Sequence, residues 1–117
     1  MNVIILPEVL DYLDEVVFIL FEKQYFSYLE TSKRYIDDLI DDIKCTLPIR
    51  QHKPAPEYFK RFIENPKQVD CFEYAVFKKN RHTSWYVFFT IYEDNETGND
   101  IFLVRYIGNN HTVAQHL

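Results

Sequence analysis

The sequence predicts an α+β fold: a short N-terminal strand, a helical hairpin, then a three-stranded antiparallel meander packed on the helices. Three observations carry this. Apolar residues recur at helical spacing through the first half of the chain, and the period changes to two from Val69 onward. Short polar stretches, Asn80 to Thr83 and Asn95 to Asn99, separate the β-rich segments by hairpin-sized gaps. At 117 residues, 47% hydrophobic and 17% aromatic, the chain has the size and apolar content of a single domain, 1–117, with a sizeable core.

NVIIL, residues 2–6, is an apolar run suited to a strand. Pro7 then opens a helix, because its missing N–H would be unpaired at that position anyway. Val9, Leu10, Leu13, Val16, Val17, Leu20 and Phe21 form the apolar stripe of that helix, with Asp11, Asp14, Glu15 and Glu22 mostly outside it. Ser27 followed by Glu30 has the spacing of a capping box and predicts the start of a second helix. Its stripe is Tyr28, Tyr35, Ile36, Leu39, Ile40, Ile43 and Leu47, and Pro48 marks its stop. Gln24, Tyr25 and Phe26 make a connection short enough for the two helices to be antiparallel neighbours.

Asp37, Asp38, Asp41 and Asp42 put like charges at four-residue spacing beside the buried stripe, the pattern of a solvated face and not of inward metal ligands. Residues 51–68 are a connection punctuated by Pro54, Pro56 and Pro66, with PEYFKRF as a short helix. CFEYAVFKK, SWYVFFTIYED and DIFLVRYIG are the strands of the meander. In the middle strand Trp85, Val87, Phe89 and Ile91 share the better core face; Tyr86, Phe88, Thr90 and Tyr92 share the other, which is expected to be open or cleft-like. In the last strand Arg105 falls in the register of Ile101, Leu103 and Ile107. An Arg among apolar positions is either paired with a carboxylate, for instance Glu73, or presented from the open face.

Composition excludes several function classes. Only 2 Gly occur, so the glycine-rich phosphate loops of P-loop and dinucleotide-binding proteins are missing. Cys45 and Cys71 have no CxxC spacing and the 4 His form no zinc pattern, so neither metal nor cofactor is expected. Asp11, Asp14 and Glu15 interrupt the N-terminal apolar residues, which predicts a cytoplasmic, non-membrane protein. The net charge of -5 is uneven: residues 1–50 hold 5 Lys+Arg against 10 Asp+Glu, and residues 51–117 hold 8 against 8. A nucleic-acid surface would therefore be local and carboxy-terminal, because phosphates are met by Lys and Arg.

The element order, with HKPAPEYFKRF, SWYVFF and the closing LVRYIGNNHTVAQHL, resembles the RelE/ParE superfamily of type II toxins across about residues 2–117. The resemblance implies a toxin neutralised by a cognate antitoxin protein. Its RelE branch is a set of metal-independent mRNA endoribonucleases working on the ribosome, and its ParE branch inhibits DNA gyrase without enzymatic chemistry. A catalytically inactive toxin-fold interaction protein is a further reading. For RNA cleavage the resemblance implies Arg105 as phosphate clamp, His111 as general acid or base, and Arg81 as a third site residue. Lys78 and Lys79 would hold the RNA backbone, and Tyr86 would stack on a base. Two departures are visible: Tyr86 follows Trp85 where many such toxins have Arg, and Asn109 and Asn110 stand where many are basic.

Overall fold

The computed structural model describes residues 2–62, 72–113 and 116–117. The predicted strand start at Val69 to Cys71 and the turn at Pro66 lie outside the described residues. The chain is α+β, with an N-terminal strand, two helices and a mixed sheet. Among the described residues five strands form this sheet: β1 (Asn2–Ile5), β2 (His52–Pro54), β3 (Phe72–Lys78), β4 (Ser84–Glu93) and β5 (Asp100–Asn109), in the order β1-β5-β4-β3-β2. The predicted β3-β4-β5 meander is present, but it is not the whole sheet. β1 docks parallel to β5, with Ile5 opposite Val104, and β2 adds an antiparallel edge to β3.

Helix α1 (Pro7–Glu22) begins at Pro7, as predicted, and buries Val9, Leu13, Val16 and Val17. It ends in a Schellman motif: Tyr25 N–H donates to the Leu20 carbonyl and Gln24 N–H to that of Phe21, with Gln24 in the left-handed region at φ 63°. Helix α2 (Leu29–Thr46) departs from the expected capping box. Its cap is Tyr28, which makes no side-chain cap hydrogen bond, so Ser27 lies one residue too early to cap it. Phe26 packs on Tyr35 with ring centroids 5.3 Å apart, which ties the turn to the helix by apolar contact instead. Tyr28 is 69% exposed and does not belong to the stripe. Ser32 takes an inward position, its hydroxyl donating to the Val17 carbonyl of α1 at 2.6 Å, so even the polar member of the helix interface is satisfied.

The hairpin packs on one face of the sheet. Ile36, Leu39, Ile43 and Leu47 meet Ala75, Phe77, Trp85, Val87, Phe89, Phe102, Val104 and Ile107 in the main core. Trp85 Nε1–H donates to the Tyr35 hydroxyl at 2.9 Å, which fixes α2 over β4. Of the acidic run, Asp37 is exposed and paired with Lys33, whereas Asp42 accepts from Arg50 Nη2 at 2.9 Å. PEYFKRF becomes a 3₁₀ helix, Glu57–Phe62.

The second face of the sheet, expected to be open, is in part a second core. Phe59 from the 3₁₀ helix stacks on Phe88, centroids 4.2 Å apart, and Phe72 and Val113 complete a buried cluster. Val113 comes from α3 (Asn110–Val113), the turn that follows β5. Apolar area closes this face. A sheet face carrying Phe72, Phe88 and Tyr106 holds too much apolar area to leave wet, at about 1.5–3 kcal/mol for each large side chain buried.

Candidate functional site

Arg105 sits at a β-bulge. Phe88 pairs with Tyr106 and the next residue, Phe89, pairs with Val104, so Arg105 is the extra residue of β5. Before the bulge Phe102 and Val104 face the helices; after it Ile107 does. Arg105 therefore keeps the face of Leu103 and Ile101, which pair with Thr90 and Tyr92, whereas Ile107 leaves the expected register because the bulge turns it to the helix face. Its side chain lies on the face away from the helices. Nε–H donates to Thr90 Oγ1 at 3.0 Å and Nη2 donates to the Tyr92 hydroxyl oxygen at 2.5 Å.

Glu73 is not its partner: that carboxylate faces the helix side, where Oε2 meets His52 Nδ1. Hydrogen bonding to Thr90, then the bond and charge of Arg105, hold the Tyr92 phenol below its ordinary pKa. A guanidinium has five N–H donors, so two bonds to neutral oxygens leave capacity for an anion.

The remaining predicted residues gather at the other end of the sheet. Lys78 closes β3 opposite Ser84, and Lys79 N–H donates to the Thr83 carbonyl at 3.0 Å in a tight loop that presents Arg81 and His82 to solvent. Tyr86 is half-buried on the second face, opposite Val76 and Gly108. His111 is exposed in the first turn of α3, and its N–H donates to Asn109 Oδ1 at 2.9 Å.

Asn110 joins these pieces. Its Oδ1 accepts from Ser84 N–H at 3.1 Å and its Nδ2 donates to the His82 carbonyl at 3.2 Å, so the β3–β4 loop is tied to the end of β5. The two asparagines in the closing segment thus hold backbone: Asn109 caps the turn and Asn110 binds the loop.

Arg105 does not join that group. Asn109 lies four residue steps further along the strand, about 13 Å at ~3.3 Å per residue. Between the two ends lies the Phe88 and Tyr106 row, covered by Phe59. Burial, with Tyr58 nearby, raises the Tyr106 pKa and keeps its phenol protonated. The sequence reading did not assign Thr90 and Tyr92 as partners of Arg105. Their shared alternation on β4 is the available signal, but it points to Arg105 only once the pairing of Thr90 with Leu103 is known. Among the described residues no three His, Cys, Asp or Glu side chains are grouped to hold a metal ion, and no helix is long and apolar enough to cross a membrane. Compared with protein-family models, with curated proteins and with solved structures, the chain matches none.

Proposed function

We propose that the chain is a RelE/ParE-type toxin that acts on mRNA at the ribosome through the loop end of its second sheet face. The observation that carries this reading is the tie made by Asn110, which holds Lys78, Lys79, Arg81, Tyr86 and His111 at one end of the sheet from two separate segments. Metal-independent cleavage asks for what such a group supplies. The RNA 2′-oxygen bonds to the adjacent phosphorus as the bond from phosphorus to the 5′-oxygen breaks. One proton leaves the 2′-hydroxyl and another reaches the departing oxygen, and cations stabilise the added negative charge. His111 is the proton carrier, an exposed imidazole whose ring nitrogens serve as proton donor and acceptor. Lys78 and Arg81 meet the phosphate, Lys79 adds charge, and Tyr86 stacks on a base. Arg105 grips a different part of the strand, and the cognate antitoxin is the protein partner.

Cell-free translation tests this. The chain is expected to stop synthesis and leave new mRNA 5′ ends at ribosome-occupied codons, and His111→Ala and Lys78→Ala/Arg81→Ala are expected to lower that cleavage. Unchanged cleavage in both variants would remove the assignment. A second reading, a ParE-like gyrase inhibitor or an inactive binder, is favoured by the separation of Arg105 from His111 by about 13 Å or more of strand. Inhibition of gyrase supercoiling with no mRNA cleavage would select it.

A further inference from the structure

We infer that the cleft at the β2–β3 edge binds one nucleotide of single-stranded RNA, with its base on Tyr74 and its phosphate at Lys53; this rests on the reading that the second sheet face meets RNA. The cleft has a volume of about 330 Å³ and is lined by Arg50, Gln51, Lys53, Tyr74 and Val76. Its aromatic wall continues the row that Tyr86 begins: the Tyr74 ring lies 6.2 Å from that of Tyr86 and 5.5 Å from that of Phe88. Val76, 39% exposed and opposite Tyr86, extends the apolar surface between cleft and loop. A strand of RNA leaving the Lys78 end thus meets stacking surface all the way to the sheet edge.

The charge of the cleft selects an anion even though the chain carries a net charge of -5. Arg50 is occupied: Nε–H donates to Thr46 Oγ1, Nη2 to Asp42, Nη1 to the Val76 carbonyl, and the guanidinium lies 3.9 Å from the Phe77 ring centroid. Those bonds also neutralise Asp42. Glu73, opposite Pro54 on β3, points to the opposite face and His52. Lys53, exposed and opposite Tyr74, has no ion-pair partner among the described residues, so its ammonium is the charge the cleft has to offer. Aromatic stacking beside a single point charge suits a base with its phosphate and tolerates any sequence, because every base has a π-face.

The test is binding of a short fluorescein-labelled single-stranded RNA to the full chain, followed by anisotropy across a salt series. Tyr74→Ala is expected to weaken binding roughly 5- to 150-fold, the range for losing one base stack, while Tyr74→Phe keeps it. Lys53→Ala is expected to flatten the slope of log K against log salt by about 0.7, the share of one phosphate contact on a single strand. A simple loss of folding would not move that slope in this way. The inference is overturned if the parent chain binds no RNA, or if it binds and Lys53→Ala leaves the slope unchanged. Normal RNA binding by both variants alongside His111-dependent cleavage sinks this subsite and leaves the proposed function standing. RNA held through Tyr74 and Lys53 with no cleavage supports the subsite and sinks the nuclease reading.

Discussion

Replacing Asn110 should loosen the loop that carries the basic group and detach it from the end of β5. Two hydrogen bonds are at stake, from Ser84 N–H at 3.1 Å and to the His82 carbonyl at 3.2 Å, bridging positions 26 and 28 residues apart. At about 0.5–1.5 kcal/mol each, their loss in Asn110→Ala should cost about 1–3 kcal/mol. Asn110→Asp should also destabilise, because it still accepts from Ser84 but sets an oxygen against the His82 carbonyl, which loses its donor. With a urea slope of ~2 kcal/mol per M, a loss of about 2 kcal/mol moves the unfolding midpoint by about 1 M. Urea denaturation gives the stability, and hydrogen exchange at the Ser84 amide reports the bond itself. The reasoning is refuted if Asn110→Ala unfolds at the parent midpoint with the Ser84 amide equally protected. Asn110→Lys places a positive charge at the end of β5. It should destabilise like Asn110→Ala, because lysine offers no acceptor to Ser84.

Three further outcomes are expected. Gln24→Gly should raise stability by about 0.5–1 kcal/mol, since it removes the left-handed strain at φ 63° and repays part in unfolded-chain entropy; an unchanged thermal midpoint would contradict this. Phe59→Ala should cost about 3–5 kcal/mol and expose Phe88, read as a lower melting temperature with increased binding of a hydrophobic dye. Arg105→Met should raise the Tyr92 pKa, followed by tyrosinate absorbance. Because the native Tyr92 pKa lies below the ordinary 10.0, its partners add stability only above that value, and the gain is lost as pH falls through the native pKa. Parent and Arg105→Met should therefore differ more in alkaline than in neutral solution for any contribution made through this ionisation.

The local elements were legible wherever spacing along the chain is the whole cause. Pro7 starts α1, the Val9, Leu13, Val16 and Val17 stripe is its buried face, and the polar stretch from Asn80 to Thr83 turns β3 into β4. The Ser27 and Glu30 pattern failed because capping depends on where the chain becomes helical, and the Schellman turn at Gln24 with Phe26 against Tyr35 delays that point to Leu29. At the site, residue types were readable and their convergence was not. Lys78, Arg81, Tyr86 and His111 share one end of the sheet, whereas Arg105 belongs to another.

By itself the sequence determined the α+β class, the helical hairpin and the meander, because a period of 3.6 or 2 is written in neighbouring residues. Tertiary structure alone decided the rest. Asn2–Ile5 pairs with residues about a hundred positions later, His52–Pro54 becomes an edge strand, and Phe59 closes a face that alternation leaves open. The register of β5 on β4 sets Arg105 beside Thr90 and Tyr92, and one extra residue turns Ile107 to the helices. Such choices are made by distant partners competing to bury apolar surface and satisfy backbone hydrogen bonds, and no window of neighbouring residues contains both competitors.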